Sequence, residues 1–305
     1  MDLSSSSSSS SSSDDLEDIM HMLPNIRSVR DRNDLYNKYN EDEFKERYRL
    51  SKKTVLILLE RFHEHLGYRT ERNNPVSPLT QILITLRYYA TGCFQQVIGD
   101  LVEIHKSTVC RIVHRVGHHI ALLREEYITM PKNPRDVTMA KQGFYAVANF
   151  PGVIGAIDCT HIRINSPGGE NSELYRNRKG WFSMNVQIVC DSKLCIMDVV
   201  ARWPGSVHDS TIYNSSLLRA QFEAGEYPNC YLLGDSGYTC TNFLLTPLSQ
   251  TNSEAEERYQ NAHIKTRNVI ERLNGVLKRR FPVLATGMQI DLNNVGRVIV
   301  ATSVT

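Results

Sequence analysis

The sequence predicts an α/β domain built on one sheet and preceded by an all-helical region. Two changes of texture predict it. Up to about Phe150 the apolar residues recur at helical spacing, and at Pro151 short β-rich runs take over: VIGAIDCTHIRI, WFSMNVQIVCD, CIMDVVARW and CYLLGD. Helical periodicity returns only after about Glu254, so a run of strands is followed by helices, as in a layered α/β unit. Pro167, Gly168, Gly169, Pro204 and Gly205 punctuate the loops.

Taken in order, Ser4 to Ser13 is an unbroken serine tract followed by Asp14, Asp15, Glu17 and Asp18. Such a segment has too little apolar surface to offset its ordering entropy, so residues 1–30 are expected to be a disordered tail. Residues 31–150 read as helices. Ser51 caps TVLILLERF, the loop NNPVSPLTQ opens QILITLRYYATG, and Gly92 closes that helix. Residues 93–120 read as a helix-turn-helix: Val97, Ile98 and Leu101 give a short first helix, and Val109, Ile112, Val113 and Val116 a second. The second helix directs Ser107, Thr108, Arg111, His114, Arg115 and His118 outward, groups suited to phosphates and base edges. A plain helical hairpin with a solvated basic face fits the same pattern. Residues 151–305 form the α/β domain.

A net charge of +2 does not announce nucleic-acid binding, which would have to come from local patches. Seven cysteines without a CxxC pair suit a reducing compartment and argue against a disulfide framework or a zinc knuckle. No apolar run is long enough to span a membrane, and the N-terminus lacks a signal-like pattern, so a soluble intracellular protein is expected.

Four acids stand out by position. Asp158 interrupts the first strand-like run, Asp209 follows the third in PGSVHDSTIY, and Asp235 ends the fourth in YLLGDSGY. Glu271 lies in RNVIERLNGVLKRRFPVL, where Ile270, Leu273, Val276 and Leu277 make an apolar stripe and Arg267, Glu271, Asn274 and Lys278 are expected on the opposite side. A solvated i,i+4 charge pattern would also explain that row. A carboxylate inside an apolar strand costs several kcal/mol unless something neutralises it. Carboxylates at the ends of two strands, with a third on a helix packed against them, can converge on one point. Such an oxygen set suits Mg²⁺ or Mn²⁺, and a pair of these ions about 3.5–4 Å apart can hold an attacking water and a leaving oxygen in line.

These blocks also carry a resemblance. The first strand with its Asp, RNRKGWFSMNVQIVCD, GSVHDSTIYNSSL, GDSGY and YQNAHIKTRNVIERLNGVLKRRFPVL occur in order and resemble the DDE domain of the PIF/Harbinger transposases, including their transposase-derived nucleases. The likeness runs from about Cys93 to Leu284 and is tightest from Gly155. It implies an RNase H-like fold, a mixed central sheet flanked by helices. It also implies a divalent-metal-dependent DNA endonuclease in which Asp158, Asp235 and Glu271 are the catalytic metal ligands, with Asp209 either a further metal ligand or a group supporting them. Thirty-five residues separate Asp235 from Glu271, within the family's pattern. It further implies a Myb-like partner for DNA recognition and nuclear import, hence nucleus and cytoplasm, and allows a homo-oligomer. Family members continue past the terminal run VIVATSVT with more helix. A domesticated DNA-binding protein that no longer cuts is the competing expectation.

Around these acids, Arg178 and Lys179 beside Trp181 are expected to contact DNA, as are Arg111, Arg115 and Lys278. His161 and His208 adjoin candidate acids and read as hydrogen-bonded histidines. GDSGY is not a serine-protease nucleophile motif, because its last residue is Tyr238 and no histidine has the matching context. A haloacid-type phosphatase would need an acid where Thr160 stands.

Overall fold

The structure, a computed structural model, describes residues 34–68 and 75–305; the expected tail lies outside them. The helical region opens with α1 (Glu41–Tyr48), where Asn40 and Glu43 form a reciprocal capping box, and α2 (Lys52–Leu66), capped by Ser51. Helix α3 (Pro78–Thr91) starts three residues before the predicted QILIT, because Ser77 caps it and Pro78 fills its first turn, where no amide hydrogen is needed. It ends at Gly92, whose φ of 63° is the left-handed conformation glycine adopts without penalty. Helix α3 is buried nearly all round and centres the region.

Helices α4 (Gln95–Leu101) and α5 (Lys106–Leu122) form the predicted helical pair, with Glu103 at positive φ in the turn. On α5 the stripe Val109, Ile112, Val113 and Val116 is buried as expected. On α4 only Ile98 of the three expected apolar residues is buried; Val97 and Leu101 are 55% and 42% exposed. Two turns of helix can bury one row, and so short a window does not say which. The short α6 (Arg124–Tyr127) and then α7 (Pro134–Ala148) lead to the sheet.

The sheet has five strands: β1 (Val153–Arg163), β2 (Ser183–Cys190), β3 (Ile196–Pro204), β4 (Tyr231–Leu233) and β5 (Leu244–Leu245), in spatial order β3-β2-β1-β4-β5. The first three are antiparallel; β4 runs parallel to β1, and β5 parallel to β4. Two-residue β5 was not foreseen. Between β3 and β4 lie α8 (Asp209–Asn214) and α9 (Leu217–Glu223); after β5 come α10 (Glu254–Arg280), α11 (Val283–Thr286) and α12 (Leu292–Val304). Every residue of β2 is buried, since each face of the sheet is covered. One face joins Val153, Ala156 and Ile162 to α10, α12 and the N-terminal helices in a continuous core. The other packs Ile154, Ile157, Val189 and Leu232 against Tyr213, Leu218 and Phe222. Helix α12 packs on both α5 and β3, approaching β3 so closely that a Cβ at Gly296 would stand 2.7 Å from the Ala201 carbonyl oxygen. Among the described residues no helix is long and apolar enough to cross a membrane.

Candidate active site

Sheet register places the first two acids. Ala156 of β1 pairs in parallel with Leu233, the last residue of β4, so Asp158 stands two residues farther along β1 and Asp235 two residues past the end of β4. Adjacent strands lie about 4.8 Å apart, and the exit of β4 keeps Asp235 near enough for its charge to act on Asp158. Asp158 is held on its other side by pairing with Ile188 of β2. Asp235 accepts the Gly237 amide at 2.9 Å, a turn that brings the chain back across the strand end.

Asp209 arrives from a different element, the first turn of α8. Its Oδ1 accepts 2.8 Å from the Asn185 amide of β2, which also donates to the Val207 carbonyl. Gly237 stands between Asp235 and Asp209. A Cβ there would come 3.0 Å from Asp235 Oδ1 and 3.5 Å from Asp209 Oδ2, so the missing side chain leaves room between the carboxylates. Beneath them the Cys159 thiol meets the buried Tyr238 hydroxyl at 3.3 Å.

Helix α10 supplies the remaining polar groups, in an arrangement that corrects the expectation. At 100° per residue, the row Arg267, Glu271, Asn274 and Lys278 lies roughly 110° from the centre of the buried stripe, beside it and not opposite. Packing therefore turns much of the row onto β1. Asn274 Nδ2 donates to Asp158 Oδ2 at 3.0 Å, and Lys278 Nζ reaches Thr160 Oγ1 at 2.6 Å and the His161 carbonyl at 2.9 Å. Arg267 Nη1 lies 3.8 Å from Asp158 Oδ1, while its Nη2 binds Glu271 Oε1. Glu271 is the most open of the set, its side chain 52% exposed.

The electrostatics tie the aspartates together. Burial pushes the Asp158 carboxyl up to about 7; Arg267 opposes this, and the charges of Asp235 and Asp209 add to it. Burial also holds the Lys278 ammonium below its usual range, while Asp158 draws it back. Among the described residues no three acid, imidazole or thiolate groups already surround one point as metal ligands. The donor chemistry nevertheless fits a hard divalent cation: three carboxylates sharing one field, a gap at Gly237, and a fourth carboxylate, Glu271, joined to Asp158 through Arg267.

The basic candidates divide. Arg111 is exposed on α5 and bonds its own helix, through the Ser107 carbonyl. Arg178 lies beside the acids with Nη2 2.9 Å from His208 Nδ1, and neighbouring Lys179 is exposed. Arg115 and Lys278 are not free, contrary to expectation. Arg115 lies over the Tyr68 ring and donates at 2.5 Å to Gln81, a buried amide whose other end holds the Leu66 and Val76 carbonyls. Such a buried amide oxygen needs a donor, and Arg115 is within reach. Trp181 stands edge-on to His161, whose Nδ1 meets Ser183 Oγ at 3.1 Å. Asn185 and Asn274 as carboxylate partners, and Arg267 as a counter-ion, were not foreseen. A polar residue inside the apolar run WFSMNVQIVC gave the same signal for Asn185 that Asp158 gave in its own strand.

Residues 157–304 match the family described as DDE superfamily endonuclease. The protein named "Putative nuclease HARBI1" from Bos taurus is 36% identical over 253 residues, spanning 81% of this chain and 72% of the relative. The chain belongs to the DDE superfamily endonucleases. Its likeness to the Harbinger transposase-derived nucleases extends to the human protein of the same name, 34% identical over the same shares. A more distant relative is "Protein ALP1-like" of Arabidopsis thaliana, 26% identical over 277 residues, 84% of this chain and 68% of the relative. No solved structure matches significantly. The five-stranded mixed sheet flanked by helices is consistent with the RNase H-like fold of DDE endonucleases. Membership implies a nucleic-acid substrate, and the superfamily generally uses divalent metals.

Proposed function

We propose that this DDE endonuclease is a divalent-metal-dependent hydrolase of DNA phosphodiesters. The observation that carries the proposal is the parallel pairing of β1 with β4, which brings Asp158, and Asp235 just past the end of β4, to one end of the sheet, with Asp209 across the Gly237 gap. Asp158, Asp235 and Glu271 would hold the metal, with Asp209 as a further oxygen donor. Bound there, Mg²⁺ or Mn²⁺ supplies the charge that stabilises the phosphorane-like transition state and acidifies a water. The chain's own groups set the geometry. Asn274 fixes the rotamer of Asp158, Asn185 that of Asp209, and two strands of one sheet give both aspartates a rigid base. Arg178 and Lys179 take DNA phosphates beside the site, while Arg111 does so on α5. Residence in nucleus and cytoplasm with a partner's help in import belongs to the same proposal. It is supported by the basic run Lys278 to Arg280 lying in folded α10, where Lys278 bonds β1 and Arg280 the Arg49 carbonyl.

Plasmid nicking by the purified chain, with Mg²⁺ or Mn²⁺ against EDTA and beside Glu271→Gln, tests this. Nicking that needs the metal and is lost in the variant is expected. Wild type and variant that both bind DNA and are equally inert would overturn cleavage in favour of a DNA-binding protein.

A further inference from the structure

We propose that the Arg267 guanidinium is the resident counter-ion of the acidic site, and that a divalent cation loads by displacing it from Glu271. The proposal rests on the reading of the site as a metal centre. Carboxylates gathered in a partly buried space repel one another, and a cation beside them lets them stay ionised where they would otherwise take up a proton. Arg267 is placed to be that cation. Its side chain is only 17% exposed, one terminal nitrogen faces Asp158 at 3.8 Å, and the other is bonded to Glu271. Lys278 is the lesser contributor: its charge is felt at Asp158, but its ammonium bonds Thr160 and the His161 carbonyl, whereas Arg267 pairs with the acids themselves.

Arginine suits this duty. It keeps its charge at any physiological pH, and its planar fork can serve two carboxylates at once. The same geometry makes it a competitor. Glu271, the carboxylate a metal would recruit from α10, is bonded along its own helix to residue 267. A doubly charged ion seated between Asp158 and Glu271 would meet a guanidinium in the same space, and the two positive charges repel. Loading therefore requires the Arg267 side chain to swing aside, which releases Glu271 in the same motion. Asp158 stays in place meanwhile, held by Asn274. The affinity for metal is then set by exchange of one cation for another, not by the carboxylates alone.

The test is Mn²⁺ titration of the full chain without DNA, with free Mn²⁺ read by electron paramagnetic resonance and melting followed in parallel. Arg267→Gln should melt lower than wild type in EDTA and bind Mn²⁺ roughly three- to tenfold tighter. Arg267→Lys keeps the charge but has one nitrogen and cannot bridge both acids, so an intermediate gain is expected; it decides the matter if the Gln variant does not fold. A folded variant with unchanged or weaker Mn²⁺ affinity would overturn the counter-ion role and make Arg267 a support for the ligands. Wild type that nicks DNA with metal while the variant's affinity is unmoved sinks this proposal alone. Wild type that neither binds Mn²⁺ nor nicks DNA sinks the metal reading with it.

Discussion

Helices α5 and α10 carry the same kind of sequence, an apolar stripe with cations beside it, and the fold uses them differently. On α5 the N-terminal part of the polar row, Ser107 and Arg111, stays exposed, and only farther along does Arg115 turn inward to Gln81. On α10 Arg267, Asn274 and Lys278 are all turned onto β1 and its carboxylate. The difference lies in what each helix packs against. Helix α5 is covered by helices α3, α4 and α12, which meet its apolar stripe and leave a side open. Helix α10 lies along a sheet whose strand presents Asp158, Thr160 and the His161 carbonyl, so groups flanking the stripe find polar partners there. A cation near an apolar stripe is thus a surface residue or a structural one according to what the neighbouring element offers.

Substitutions can break that comparison at its strongest point, the acids. Asp235→Asn should reduce metal-dependent nicking by about 10³-fold while DNA binding, measured by gel shift, is retained.

The two regions should also respond to pH with opposite signs when metal is absent. Asp158 has its folded value raised to about 7 from 3.8, so its contribution to stability is full below pH 3.8 and is lost as pH rises through 7. In the helical region His119, stacked on His65, is held below 6.5 by burial and then by His65, His118 and Arg115. Its contribution is full above pH 6.5 and is lost as pH falls through that lowered value. Melting in EDTA across pH 5–8 should show Asp158→Asn gaining on the order of 1–3 kcal/mol relative to wild type at the alkaline end. His119→Gln should flatten the acid side instead. Identical slopes in wild type and both variants would refute the contrast.

The smallest effects sharpen the difference between free and engaged cations. Lys278→Met should cost about 1–3 kcal/mol in urea denaturation, because it strands the hydrogen-bonding groups of β1. Arg111→Ala should stay within about 0.5 kcal/mol in the same assay, yet weaken DNA binding severalfold and lower the salt slope by about one.

What could be read from the sequence follows the same logic. The change at Pro151, the Ser51 cap, the Gly92 stop and the strands β1 to β4 were legible because each rests on local chemistry: caps, φ angles and continuous apolar runs. Strand β5 was not, since two residues of NFLLTP carry no periodicity and pair only because β4 lies beside them. The four acids were legible as interruptions of apolar texture. That Asp158 and Asp235 come to one end of the sheet depends on strand pairing, and that Asn274 holds Asp158 and Asn185 holds Asp209 depends on packing. Both are settled between elements far apart in the chain.

Gly237 gives the site an evolutionary weak point. A methyl group there would press on Asp235 and touch Asp209 without altering a single carboxylate, and its backbone torsions ask nothing special of glycine. A single added carbon at this position would therefore disturb the acidic site while every acid of the family stayed in place.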